Sequence, residues 1–251
     1  MTLAGKHALV TGGGTGIGLA IARMLAQEGA AVTITGRRRT VLDGVAGDGL
    51  FPAEMDVRDE VSVCDTIAAA VTARGPVQIC VPNAGIAEGR ALHKTDMAFW
   101  RNMTATNLDG TFLTIRESLP GMRETRWGRV VAVSSIAGVR GLKGAACYTA
   151  TKHGMIGLIR SLSEDYAGRD ITFNALCPAY VDTEVIPRNM TQIAERAGIT
   201  KEEARARMLA SNRHGRLIAP EEVAAAARWL VCPGSESVNG QAIEIAGGQM
   251  A

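Results

Sequence analysis

Short runs of consecutive apolar residues alternate along this chain with longer stretches in which apolar positions recur every three or four residues. The first run, His7–Thr11, passes into Thr11-Gly12-Gly13-Gly14-Thr15-Gly16-Ile17-Gly18; a helical pattern then runs to Glu28 and stops at Gly29. A second apolar run at 31–35 completes a strand-helix-strand unit, whose two strands lie parallel. The alternation continues with strands expected at 50–55, 77–81, 129–133, 172–176 and 241–245, and helices at 61–73, 97–122, 148–167 and 220–230. Strands that are apolar at every position are covered on both faces, so the pattern predicts an α/β architecture with a doubly wound parallel sheet and helices on both sides.

Pro178 is expected to end regular structure after the sixth strand. The stretch 184–217 is charged and keeps no steady period; it reads as a loop, interrupted by a capping box at Thr200-x-x-Glu203 that opens a short helix. With no repeat, low-complexity tract or linker, the 251 residues suit one domain over 1–251, with 184–217 as an insertion.

The glycine cluster gives the architecture a chemical purpose. Gly12, Gly16 and Gly18, placed between a strand and a helix, let backbone approach a pyrophosphate and leave N–H groups at a helix N-terminus facing the anion. After the second strand the chain has Gly36 and then Arg37-Arg38-Arg39, with no carboxylate to hold two ribose hydroxyls. Guanidinium forks suit phosphate, so NADP(H) is favoured, with NAD(H) the alternative. Thr15 stands where a basic residue would have strengthened that reading.

Tyr148 and Lys152 are four apart in a helical pattern and leave one face a turn apart. A fixed ammonium beside a phenol is expected to favour the phenolate and bring it towards a working range for proton transfer. Ser135, at the end of the 129–133 strand, can hydrogen-bond a substrate oxygen. Asn107 sits mid-helix among apolar neighbours, a choice that suggests a local opening of the helix.

Composition narrows the partners. Net charge is +2 with 21% charged and 4% aromatic residues, which offers nucleic acid neither a basic field nor a stacking platform. No apolar window reaches 18 residues and the first residues have no secretory layout, so a soluble, cytoplasmic protein with no membrane partner is expected. The cysteines (64, 80, 147, 177, 232) have no metal-ligand spacing and read as free thiols, Cys147 as a packing residue; no metal is expected.

Taken in order, these motifs resemble the short-chain dehydrogenase/reductase family over essentially the whole chain: Thr11-Gly12-x-x-x-Gly16-x-Gly18, Asp56, Asn83-Ala84-Gly85, Asn107, Ser135, Tyr148-x-x-x-Lys152 and Pro178. The resemblance implies a Rossmann-type sheet in the order 3-2-1-4-5-6-7 and a homotetramer. It implies a tetrad of Asn107, Ser135, Tyr148 and Lys152, with Asn107 holding a water that links Lys152 to solvent. For the cofactor it implies Gly12, Gly14, Thr15, Gly16, Ile17 and Gly18 around the phosphates, Arg37 and Arg38 at the ribose, and Asp56 and Val57 near the adenine. Asn83, Ala84 and Gly85 would lie beside the ribose; Tyr148, Lys152, Pro178, Val181 and Thr183 would lie towards the nicotinamide. Pro82 and Ala179 depart from the family's usual Asn and Gly.

The stretch 184–217 is similar to that of the 3-hydroxybutyrate dehydrogenase branch, yet Ala87, Ala137 and Ala145 stand where that branch grips a carboxylate. With Tyr180 they suggest a roomier apolar wall for a hydrophobic or cyclic secondary alcohol/ketone, or for a 3-hydroxyacyl or 3-oxoacyl thioester. Arg188, Arg196, Lys201, Arg205, Arg207, Arg213 and Arg216, with Arg140 and Lys143, either meet coenzyme A phosphates or form a solvated face. Arg126 and Arg169 keep open a 3-oxoacyl-acyl-carrier-protein reductase. A dinucleotide-sensing regulator is the alternative of another class, and the intact tetrad speaks against it.

Overall fold

The computed structural model of the chain describes residues 2–248, and the side chains of Arg188 and Arg196 lie outside the described residues. Seven parallel strands form one sheet: β1 (His7–Thr11), β2 (Ala31–Gly36), β3 (Leu50–Glu54), β4 (Val77–Val81), β5 (Gly128–Val133), β6 (Ile171–Pro178) and β7 (Ala242–Ile245). Their order is β3-β2-β1-β4-β5-β6-β7, as the resemblance implied. Neighbours of β1 lie on both sides, so the chain reverses its direction of winding there and opens a crevice at the strand ends.

The two-residue period of a strand decides which helices cover which face. Val131 and Val133 of β5 pack into the cluster that contains helix α1 (Gly16–Gln27) and helix α9 (Pro220–Val231). Val130 and Ala132 point the other way, into a cluster with the fully buried Phe173 and residues of α5 (Gly110–Thr125) and α6 (Ala146–Asp165). On that second face α3 (Glu60–Arg74) covers Leu9 and Val77 through Val63 and Ile67. Burial on both faces is what the unbroken apolar runs required.

Four stretches differ from the sequence expectation. A five-residue helix, α2 (Arg39–Asp43), forms where no element was assigned, because Leu42 is buried against the sheet and Arg39 pairs with Asp43 one turn on. The single helix expected at 97–122 is instead α4 (Met97–Thr104), a π turn (Ala105–Asp109) and α5. Strand β6 reaches Pro178, since Pro178 is paired with Ile245 and a proline can end a ladder that needs no further N–H. Finally, 184–217 is mostly helical: α7 (Val185–Ala197) precedes α8 (Lys201–Ser211), which opens with the expected Thr200–Glu203 capping box. Ile186, Met190, Ile193 and Ala194 fall at helical spacing, with Ile186 and Ala194 buried, and Pro187 lies in the first turn, where it is tolerated. Among the described residues no helix is long and apolar enough to cross a membrane.

The first and last covering helices are clasped by one carboxylate. Glu28, which follows α1, accepts from the Thr2 hydroxyl at 2.6 Å and from Arg228 Nε at 2.5 Å. These bonds, the Thr2 hydroxyl first, hold the Glu28 carboxyl at about 2, well below its ordinary 4.5. A depressed carboxylate stabilises the fold above its ordinary value and loses that contribution as pH falls towards the folded one. Glu28→Gln should therefore cost about 0.5–1 kcal/mol at neutral pH, a small figure because the Arg228 partner is solvated. Urea unfolding of the two proteins should converge as pH is lowered from 4.5 towards 2.

Candidate active site

The loops that leave the C-terminal ends of β1, β4, β5 and β6 meet above the sheet. The Thr11 hydroxyl, at the end of β1, accepts the N–H groups of both Asn83 and Ala84 at 2.9 Å, and Asn83 Nδ2 returns a bond to the Thr11 carbonyl at 2.9 Å. The glycine loop and the Asn83-Ala84-Gly85 turn are thereby fixed to each other. Pro82 lacks the N–H that the usual asparagine would bring, yet its carbonyl still accepts from Val133 N–H at 2.9 Å, so β4 and β5 stay joined.

Gly12 and Gly16 have φ of +64° and +52°, conformations that L side chains rarely adopt. A Cβ on Gly18 would stand 2.3 Å from the Gly12 carbonyl oxygen, so this glycine serves the close packing of helix against loop and does not reach the cavity wall. Past the loop, a trough runs along the strand ends. One end is lined by Gly12, Gly14, Thr15, Arg37, Arg38, Asp56, Val57, Ala84 and Gly85; the other by Gly16, Ile17, Asn83, Ser135, Tyr148, Lys152, Pro178, Tyr180, Val181, Thr183 and Ala87. Gly12, Thr15, Arg38, Ala84 and Gly85 border both ends, which makes the trough continuous. Its features fit a nicotinamide dinucleotide: side-chain-free backbone at a helix start, guanidinium groups at one end, and the buried, unpartnered Thr35 hydroxyl in the wall.

Ser135 Oγ accepts the Ala137 N–H at 3.1 Å, which leaves its hydroxyl hydrogen to be donated. A Cβ on the neighbouring Gly138 would fall 2.6 Å from Ser134 Oγ and 2.9 Å from the Lys152 carbonyl, so the turn after β5 lies hard against α6. Lys152 is buried and donates from Nζ to the Val133 carbonyl at 2.9 Å; burial brings its ammonium down to about 8. Here the structure departs from expectation. Burial pushes the Tyr148 phenol above its ordinary value, only the Ser135 hydroxyl bond draws it down, and the Lys152 Nζ lies 5.9 Å from the centre of the tyrosine ring. The ammonium is committed to a backbone carbonyl, so its field does not offset the phenol's loss of water.

Asn107 is fully buried in the π turn and fills it with bonds: Oδ1 accepts Ile86 N–H at 2.8 Å, while Nδ2 donates to the Ile86 carbonyl at 3.0 Å and to Thr151 Oγ1 at 3.1 Å. Thr151 in turn donates to the Tyr148 carbonyl at 2.8 Å. This is the local helix opening that the sequence suggested, and it ties the segment after β4 to the helix that carries Tyr148 and Lys152. Between Asn107 Oδ1 and Lys152 Nζ stands Gly85, where an added Cβ would lie 3.1 Å from the first and 3.8 Å from the second.

Two expected wall residues are elsewhere. Ala137 is 0% exposed, turned into the core by its place in the turn after Ser135, and Ala145, which precedes α6, does not line the trough. Nor do the described basic residues Arg140, Lys143, Lys201, Arg205, Arg207, Arg213 and Arg216; Arg216 is held by Glu222 at 2.6 Å. Conversely, Ile86, Arg58, and Val185, Ile186 and Asn189 of α7 line the trough without having been singled out. Asn212, fully buried, positions the wall by donating to the Tyr180 carbonyl at 3.0 Å and to that of Arg216 at 2.8 Å. A polar residue just after a charged helix gives no sequence signal for that role, whereas Arg58, two residues past Asp56, could have been weighed.

A family model described as short chain dehydrogenase matches residues 6–193. Cis-4-hydroxycyclohexanecarboxylate dehydrogenase of Sinomonas cyclohexanicum is 37% identical over 253 residues, covering 98% of this chain and 97% of the relative. The 3-oxoacyl-acyl-carrier-protein reductase FabG of Aquifex aeolicus is 32% identical over 253 residues, 98% of each chain. Among solved structures, a variant of actinorhodin polyketide ketoreductase with NADPH superposes with a TM-score of 0.93 at 35% identity, over 97% of both chains.

The Asn107 bonds generate a test of this architecture. Asn107→Ala removes the side-chain partner of the half-buried Ile86 N–H and carbonyl and should cost about 1–3 kcal/mol, measured by urea denaturation without cofactor.

Proposed function

The chain belongs to the short-chain dehydrogenase family and is an NAD(P)-dependent oxidoreductase of alcohols and ketones, and we propose that it works with NADP(H) on a hydrophobic or cyclic secondary alcohol/ketone pair. The observation that carries the substrate reading is the trough wall beyond Tyr148. Ile86, Ala87, Ala179, Val185 and Ile186 give it an apolar stretch beside the uncharged Tyr180, Thr183 and Asn189, and apart from Lys152 and Arg38 its charged group among the described residues is Glu184. A free carboxylate would lose its hydration there and meet another anion. The ring-bearing substrate named for the Sinomonas relative supports a cyclic compound. The Aquifex relative supports, as a second reading, a 3-oxoacyl thioester carried on acyl carrier protein.

Held by the residues that line this end of the trough, a nicotinamide would supply or take up the hydride at the carbon that bears the oxygen. Tyr148 passes the proton: its phenol stays protonated at neutral pH, the state needed to give a proton to a ketone oxygen as negative charge grows there. Ser135 donates its hydroxyl to the same oxygen, oriented by the bond it accepts from Ala137. Lys152, with its ammonium near 8, keeps a positive charge beneath the site through neutral pH and would hold the nicotinamide ribose. Asn107 holds the helix of Tyr148 in register through Thr151, and its Oδ1 lies with Lys152 Nζ beside Gly85, the side from which a proton would be replaced. Gly12, Gly14, Thr15, Gly16, Ile17 and Thr183 would cradle the phosphates, Val181 and Pro178 would border the carboxamide, Asp56 and Val57 the adenine, and Arg37 and Arg38 would take the 2′-phosphate. We read the protein as a single-domain cytoplasmic homotetramer; exposed Met97, Trp100 and Phe112 on α4 and α5 and Trp229 on α9 supply apolar surface for assembly.

Cyclic ketones, acyl-CoA thioesters and acyl-carrier thioesters assayed side by side with NADPH and NADH test the reading. Turnover should be highest with a cyclic ketone and NADPH, and acyl-carrier thioesters turning over fastest would replace it with the second reading. Tyr148→Phe should lower kcat by about 10²–10⁴ with NADPH affinity retained; unchanged turnover would remove tyrosine from the proton step.

A further inference from the structure

At the guanidinium end of the trough the one carboxylate among the lining residues is Asp56, and it does not face the cavity as a bare charge. Arg58 grips it from two residues away. Nε lies 3.0 and 3.1 Å from the two carboxylate oxygens, Nη2 lies 2.6 Å from Oδ2, and the Arg58 backbone N–H donates to Oδ1 at 3.0 Å. The arginine is anchored in turn by a bond from Nη1 to Asn102 Oδ1 of α4 at 3.4 Å. Both side chains line the same wall as Arg37 and Arg38.

This arrangement answers a difficulty in the NADP(H) reading, on which the inference rests. A 2′-phosphate brought beside a free carboxylate would be repelled, and two arginines would have to offset that repulsion as well as bind the phosphate. A forked guanidinium on both oxygens offsets the Asp56 charge, and Arg37, whose own charge also bears on Asp56, and Arg38 make no hydrogen bond to it. We propose that Arg58 is a specificity-determining residue for the dinucleotide: it cancels the charge of Asp56 so that the pocket accepts a 2′-phosphate. Arg58 need not touch the phosphate, and this separates the role from that of Arg37 and Arg38.

The test uses binding to the free enzyme, read by calorimetry, with 2′,5′-ADP and 5′-AMP as probes, alongside KM for NADPH and NADH. Arg58→Ala should weaken 2′,5′-ADP about tenfold, the size expected of one uncompensated charge near 10 Å at a protein surface, and 5′-AMP by less than about twofold. The variant Arg58→Ala with Asp56→Asn should bring the affinity for 2′,5′-ADP relative to 5′-AMP back to within about threefold of the unmodified protein's ratio, because no charge remains to be cancelled and any lost adenine contact affects both probes alike. KM values should follow the same order. A double variant whose ratio stays as low as that of Arg58→Ala would overturn the proposal by making Arg58 a direct phosphate ligand. Equal weakening of both probes in Arg58→Ala would overturn it by making the residue structural; Arg58→Met, which keeps the stem, replaces the alanine if that protein does not fold. Equal affinity of the unmodified enzyme for the two probes would instead remove the NADP(H) reading beneath it.

Discussion

Two backbone amides, those of Asn83 and Ala84, share one hydroxyl at the end of β1, and the rest of the site depends on that knot. A parallel sheet delivers its loops to one edge but does not fix them there, because the chain leaves the ladder at the point where function begins. Thr11 extends the order of the sheet into the loops: it accepts both N–H groups while Asn83 bonds back to the Thr11 carbonyl. Gly12 and Gly18 can then approach without side chains, and the helix behind them starts at a defined place.

A second set of ties carries this order across to α6. Asn107 binds both backbone groups of Ile86 and the hydroxyl of Thr151, so the strand that ends in the glycine-side knot also sets the position of Tyr148 and Lys152. Electrostatics then follows from burial more than from pairing. The Lys152 ammonium bonds the Val133 carbonyl and the Tyr148 phenol bonds Ser135, so each is solvated by the protein in a direction that leaves their mutual attraction secondary. Burial thus keeps the phenol a proton donor at neutral pH.

The sequence made the strands, the glycine loop and the proton-transfer pair readable because each depends on local pattern: apolar runs, glycine spacing, four residues on a helix. Asn107 was legible for the same reason, as a polar residue misplaced in an apolar helix. Helix α7 was not, since Pro187 and scattered charges mask an apolar stripe that only tertiary burial makes decisive. Ala137 was assigned to the wall by position in a motif, whereas the tight turn after Ser135 rotates it inward. The grip of Arg58 on Asp56 combines neighbours in sequence with an anchor on α4, and only the second half of that arrangement required coordinates.

The π turn between α4 and α5 has a geometric consequence. Bonding five residues apart instead of four inserts one residue into the coil, which offsets the azimuth of everything downstream by about 100° relative to an uninterrupted helix. Met103 before the turn and Leu113, Ile115 and Met122 after it are buried with that offset built in. The stretch from Met97 to Thr125 is therefore two phases of one rod, and its tolerance to change is one of length before it is one of chemistry. Dropping a single residue there would close the turn into plain α-helix with the stripe of α5 still on the sheet, and the loss would fall on the widened turn that Asn107 fills.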